Sequence, residues 1–272
     1  MIKHLLKIKS NQEIADKIYK LELEGDYNLA EFRPGRFLHI KCSDGIDPLL
    51  RRPMSVCNID DSGKLMTVLY RSEGKGTKLL AAKKAGESLD LLAPLGTNFN
   101  LDAVKAGETA LLIGGGIGVP PLYYLGRKLK ERGVKIISVL GFNSKKDVFY
   151  EKEFSELGKV YVTTVDGTHG KKGFVTDALH GIEYQALYSC GPNVMLKALQ
   201  PLIPKEKKAF ISIEERMGCG VGACLACVCK PGPDYVSETG YLRACTEGPV
   251  LRLWDVSFES NYSGVISKER SD

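Results

Sequence analysis

The sequence predicts three units in series. These are a small antiparallel β barrel over residues 1–101, a doubly wound parallel-sheet α/β domain over 102–208, and a small cysteine module with a tail over 209–272. Three observations predict this. The first hundred residues read as short alternating strands broken by Gly and Pro turns. From about Gly107 strands alternate with helical stretches, the pattern of a parallel sheet. Beyond Ser212, cysteines and glycines crowd into one short run.

In the first unit, Ile18–Leu23, Phe37–Cys42, Lys64–Arg71 and Ser88–Ala93 each alternate in the two-residue period of a half-buried strand. Arg51-Arg52-Pro53-Met54-Ser55 lies between two of them. A guanidinium there can grip a pyrophosphate through two parallel hydrogen bonds, and the Ser55 hydroxyl can reach a flavin N5 or ribityl position. Taken alone, the segment reads better as a solvated basic turn. Gly74-Lys75-Gly76-Thr77 reads as a glycine turn opening a helix, where free N–H groups suit a phosphate. Ala93–Phe99 reads as a turn closing the barrel.

In the second unit, Thr109–Ile113 is an apolar strand of the fully buried type. Gly114-x-Gly116-x-Gly118 follows it, and then a helix from about Leu122 to Glu131. Glycines between strand and helix let backbone approach a pyrophosphate. The match to the dinucleotide-binding pattern is imperfect, because Pro120 and Pro121 stand where the helix would begin. Lys135–Leu140, Lys159–Thr164 and Gln185–Ser189 are further strands. Gly173–Leu179 is expected to enter a helix, and Asn193–Gln200 is another. Ser189-Cys190-Gly191-Pro192 ends its strand at the carboxyl edge, where ligands of open α/β sheets bind. Cys190 is either a core thiol or a residue beside a reacting ring. Asp166 can accept ribose hydroxyls as NAD sites require, whereas Lys145 and Lys146 can meet a 2′-phosphate or simply be solvated.

In the third unit, Cys219, Cys224 and Cys227 have C-x4-C-x2-C spacing, and Cys245 follows after 17 residues. This is the plant-type pattern of a [2Fe–2S] cluster, in which four thiolates converge on two irons inside a loop rich in small residues. Zinc, disulfides and buried free thiols are the alternatives. Structural zinc usually shows two short Cys pairs or Cys with His, and no histidine follows His180. Cys229 breaks the pattern and reads as a non-ligand.

Composition narrows the rest. Hydrophobic content of 43% and charged content of 26% are ordinary for a globular protein. No apolar run of about 18 residues predicts a membrane span, and the N-terminus lacks the marks of a secretory signal. Eight cysteines without such a signal argue for a reducing cytosol, hence a cytoplasmic protein. Net charge of +5 is carried by lysines mixed with acids and without interleaved aromatics, which argues against nucleic acid.

The combined order resembles the ferredoxin-reductase superfamily. Within it, the chain is similar to the electron-transfer subunits of B-type, NAD-linked dihydroorotate dehydrogenases. The resemblance rests on Arg51–Val56, Gly74–Thr77, Ala93–Gly96, Gly114–Pro121, Leu140–Asn143, Gly173–Asp177, Ser189–Pro192 and the cysteine loop through Glu247–Val250. It spans residues 1 to about 255 and leaves a tail. It implies a flavin-binding barrel holding FAD through Arg52, Pro53, Met54, Ser55, Tyr70, Gly76 and Thr77. It implies NAD at Gly114, Gly116, Gly118, Asp166, Cys190 and Gly191, and a [2Fe–2S] cluster on Cys219, Cys224, Cys227 and Cys245. Ser55 and Cys190 are the candidates nearest the chemistry. The implied partner is an FMN-containing catalytic subunit that oxidises dihydroorotate, in a heterotetramer of two of each subunit. The family's usual alanine is Pro120 here, and the Cys227–Cys245 interval is longer, predicting an extended loop at Pro231–Thr239. A related NAD(P)H–ferredoxin or sulfide-linked reductase subunit is the nearest alternative function, and a non-enzymatic iron–sulfur sensor a more distant one.

Overall fold

A computed structural model describes residues 2–258. The tail expected beyond about residue 255 lies outside the described residues except for its first three positions.

The first sheet contains β1 (Ile2–Ala15), β2 (Ile18–Glu24), β3 (Phe37–Ile40), β4 (Arg52–Ser55), β5 (Asn58–Ile59), β6 (Leu65–Arg71) and β7 (Ser88–Leu95). Its order is β4-β3-β7-β1-β2-β6-β5, antiparallel throughout. Met54 of β4 and Tyr70 of β6 lie far apart in that order yet share one buried cluster, so the sheet curls around its core as a barrel wall does. Pro53 sits in β4, an edge strand, where its missing N–H costs no ladder bond. Helix α1 (Lys75–Ala81) crosses between β6 and β7.

The second sheet takes β8 (Thr109–Gly115), β9 (Lys135–Phe142), β10 (Lys159–Thr164), β11 (Lys171–Lys172), β12 (Ala186–Cys190) and β13 (Lys208–Ser212) in parallel. Helices α2 (Val119–Glu131), α3 (Glu151–Leu157) and α4 (Asn193–Leu199) connect them. The cysteine stretch then makes a two-stranded ribbon, β14 (Val228–Cys229) with β15 (Leu242–Arg243). The chain returns as β16 (Val250–Arg252), antiparallel to β13. The second sheet therefore continues past residue 208.

The order β11-β10-β9-β8-β12-β13-β16 puts the chain reversal between β8 and β12. In α/β sheets a crevice opens at that point, beyond the carboxyl ends of the strands. Cys190 pairs in register with Gly114 across it, so both predicted nucleotide loops leave the sheet side by side.

Two expectations are corrected. Helix α2 begins at Val119, not near Leu122, with Pro120 and Pro121 in its first turn. The first N–H groups of a helix have no intrahelical partner, so proline is tolerated there. Residues 173–179 form only a 3₁₀ turn at Val175–Ala178. The Asp177 carboxylate accepts the Phe174 N–H at 2.7 Å and closes the segment locally. Strand β1, which the sequence reading passed over, is long and mostly exposed, with only Leu6 and Ile8 buried on one face.

Candidate functional site

A cleft of about 280 Å³ opens between the barrel and the carboxyl edge of the parallel sheet. From β4 it is lined by Arg52, Pro53, Met54 and Ser55, and from β6 and α1 by Tyr70, Arg71 and Thr77. The sheet side adds Ile117, Pro120, Ser212, Ile213, Glu214 and Glu215, and Phe37, Leu69, Met217 and Pro249 complete it. A larger cavity of about 450 Å³ lies around Arg33, Asn98 and Arg132, and holds none of the expected site residues. The smaller cleft is the one where barrel and sheet chemistry meet.

The barrel side fits a flavin with its pyrophosphate. The Arg52 guanidinium lies against Gly76, so close that a β-carbon there would stand 3.0 Å from Nε. Among the described residues Arg52 has no acidic partner; it donates to the Leu50 carbonyl at 2.6 Å, which leaves its charge for an anion. The Thr77 hydroxyl is already engaged, accepting the Gly74 N–H at 3.1 Å and donating to the Gly74 carbonyl at 3.0 Å, so it braces the turn. Tyr70 is buried, stacks on Tyr19 and donates to Asn11 Oδ1 at 2.9 Å. Its ring is thereby a fixed wall of the cleft. Ser55 lines the cleft half-buried, paired with Phe37 across β3.

On the sheet side the two nucleotide loops touch. A β-carbon at Gly118 would stand 2.4 Å from the Cys190 carbonyl oxygen, and one at Gly191 would stand 2.5 Å from Met195. The Cys190 thiol is fully buried. Burial holds its pKa far up, and the nearby Glu214 adds to this, so it stays a neutral thiol. Glu214 is exposed as a residue, and partial desolvation of its carboxyl by the surrounding loop shifts its pKa upward. Asp166 does not reach the cleft. It lies exposed beyond β10, where its carboxylate accepts both the N–H (2.9 Å) and the hydroxyl (2.7 Å) of Thr168.

Glu214, Ser212 and Arg71 line the cleft without having been singled out in the sequence. The available signal for Glu214 was its place just past β13, at the same carboxyl edge as Cys190.

The cysteine loop begins five residues after Glu214. Its N–H groups turn toward the thiols: Val221 donates to Cys219 Sγ (3.4 Å), Cys219 to Cys224 Sγ (3.3 Å) and Gly222 to Cys245 Sγ (3.1 Å). Burial alone would raise the Cys219 thiol, but the Val221 N–H and the neighbouring Cys224 thiol and amides bring it down to about 6. Cys245 goes the other way, to about 12, through burial and the adjacent Cys227 thiol. Backbone donors aimed at sulfur are what a cluster with negatively charged sulfurs needs. Among the described residues no three His, Cys, Asp or Glu side chains gather as ligands of a single ion do. Cys229 points elsewhere, toward the Leu242 carbonyl. Arg243 fastens the loop by donating to the Gly222 carbonyl (3.1 Å) and to Glu247.

Known proteins agree with this layout. The iron-sulfur cluster binding domain of dihydroorotate dehydrogenase B matches residues 214–257, and the oxidoreductase NAD-binding domain matches residues 112–200. The electron transfer subunit of dihydroorotate dehydrogenase B (NAD(+)) from Bacillus cereus strain B4264 is 54% identical over 94% of this chain and 99% of its own length. The corresponding Bacillus anthracis subunit (strain A0248) is 53% identical over the same shares. Among solved structures, NADH-dependent reduced ferredoxin-NADP oxidoreductase superposes with a TM-score of 0.81 at 27% identity, over 94% of this chain and 90% of that one. Phthalate dioxygenase reductase shares the fold, with a TM-score of 0.62 at 19% identity over 89% and 77%.

Proposed function

This chain belongs to the electron transfer subunits of dihydroorotate dehydrogenase B, and on that premise we propose how its residues divide the work. FAD occupies the cleft between barrel and sheet, NAD lies along the Gly114–Gly118 and Cys190–Gly191 loops, and a [2Fe–2S] cluster is held by Cys219, Cys224, Cys227 and Cys245. Bound there, the flavin supplies the exchange between two-electron chemistry with nicotinamide and one-electron chemistry with iron and sulfur. The partner is a catalytic subunit carrying FMN, in a heterotetramer of two of each. No helix among the described residues is long and apolar enough to cross a membrane, and we place the complex in the reducing cytoplasm, as the free thiols favour.

The chain's own residues position and insulate. Arg52 offsets the pyrophosphate charge. Tyr70 and Pro249 wall the cleft, and Ser55 presents a hydroxyl toward the flavin ring. Cys190, kept a neutral thiol by burial, places no negative charge at the sheet edge where the nicotinamide would lie. No general acid or base is required of these residues. The units are 1–101 for FAD, 102–208 for NAD and 209–272 for the cluster, with β13 and β16 joining the third to the second sheet.

One observation carries this reading: the cleft and the cysteine loop are built from one continuous segment, Ser212 to Cys224, that closes over the barrel. The test is anaerobic co-purification with the catalytic subunit, followed by cofactor extraction and assay. One FAD and two irons per chain with dihydroorotate-dependent NAD reduction are expected. FAD and iron without orotate chemistry would transfer the chain to a related reductase.

A further inference from the structure

His39 lies in β3, between the flavin cradle and the cysteine loop. It pairs with Pro53 of β4 on one side and with Leu92 of β7 on the other. Its relative exposure is 0%, and among the described residues neither ring nitrogen makes a hydrogen bond of full geometry, the polar groups within reach being the backbone of Cys219 and of Arg51. A buried polar atom left unpaired costs roughly 1–3 kcal/mol, so such a ring calls for an explanation. The ring points at the loop. A β-carbon on Gly220 would stand 2.7 Å from His39 Nδ1, so the absent side chain of Gly220 is the space the imidazole fills. The backbone of Cys219, a proposed cluster ligand, borders the ring on that side, and that of Arg51 borders it on the other.

We propose that His39 is a positioning residue for the iron–sulfur centre: its ring spans from the flavin-bearing sheet to the Cys219–Gly220 backbone and directs an N–H at the cluster loop. This rests on the cluster assignment above. A neutral imidazole carries one N–H and one bare nitrogen. An N–H directed at the loop stabilises the additional negative charge the cluster gains on reduction, because hydrogen bonding and burial around the sulfurs set cluster potentials. The same ring fixes how the loop seats on the barrel. It does not line the flavin cleft, so the flavin potential should not depend on it.

The experiment is a redox titration of the complete complex with its catalytic subunit, followed by EPR of the reduced cluster. Unmutated protein, His39→Leu and His39→Gln are compared. Leucine keeps the volume and removes the donor, and glutamine restores an N–H. In His39→Leu the ratio of reduced to oxidised cluster at a fixed ambient potential should fall about tenfold, equivalent to 59 mV for one electron, with an altered EPR spectrum and an unchanged flavin midpoint. His39→Gln should stay within about threefold of the unmutated ratio, because one donor of comparable reach is retained. If His39→Leu fails to hold iron, retention of iron and spectrum by His39→Gln supports the proposal, and loss from both overturns it. Identical potentials in all three proteins, or equal shifts in both variants, also overturn it. An unmutated complex without a cluster signal overturns the cluster assignment itself, and the proposal with it.

Discussion

Two glycine-rich loops, 114–118 and 218–222, look alike on paper and are built for different physical reasons. Gly118 stands on ordinary helical backbone at the entry to α2, and its constraint is space: the Cys190 carbonyl leaves no room for a β-carbon. Gly222 has φ of +82°, and its constraint is the backbone itself, since only there can its N–H face Cys245 Sγ. The first loop brings two strand ends together at the sheet edge. The second turns successive N–H groups inward around thiols. A run of glycines therefore reports that backbone must come close to something, and the neighbouring elements decide what. A strand before and a helix after indicate a phosphate. Cysteines at fixed spacing indicate sulfur.

The comparison breaks most completely at the thiols. Cys245→Ser should abolish iron retention and electron delivery to the catalytic subunit. Reduction of the flavin by NADH should survive, because Cys245 lies outside the cleft. Iron analysis beside a stopped-flow trace of flavin bleaching checks this. Gly118→Ala comes next. Its β-carbon meets backbone rather than a flexible side chain, so a cost of about 1–3 kcal/mol and weaker NADH binding are expected, with the cluster spectrum retained. Thermal unfolding and NADH titration read the two effects. Gly222→Ala should show the opposite pattern. A left-handed non-glycine residue costs roughly 1–2 kcal/mol, and its β-carbon would meet Thr246 Cγ2 at 2.8 Å. Iron should be lost more readily, with NADH affinity unchanged.

The smallest effect concerns Glu214, beside the first loop. Desolvation of its carboxyl raises its pKa above the ordinary 4.5, so the fold favours the protonated form relative to the unfolded chain. That contribution is complete below about pH 4.5 and is lost as pH rises through the raised value. Glu214→Gln should therefore gain thermal stability relative to the parent as pH increases, with the two converging in acid. Melting curves across that range give the answer, and parallel curves would refute it.

How far the sequence revealed these features follows the same division. Strand β8 announced itself as an apolar run and β9, β10 and β12 as strands alternating with helical stretches, and the cysteine spacing identified the loop because four thiolates on two irons leave little latitude. Arg52, Ser55, Tyr70 and Thr77 do meet at one cleft. Two other features were hidden. The start of α2 was masked by two prolines that in fact suit a first turn. Glu214 and His39 carry no motif, because what distinguishes them is their place in three dimensions at a junction between distant segments. Local pattern reports local backbone, and only the fold reports which segments are brought against each other.

The measurement closest to the central claim is rapid mixing of the anaerobic complex with NADH, with flavin absorbance and cluster EPR followed in time. The account predicts that flavin bleaching comes first and is followed by a one-electron iron–sulfur signal, the second lost in Cys245→Ser and the first retained. A cluster signal that precedes flavin reduction, or bleaching that is lost along with the cluster, would contradict it.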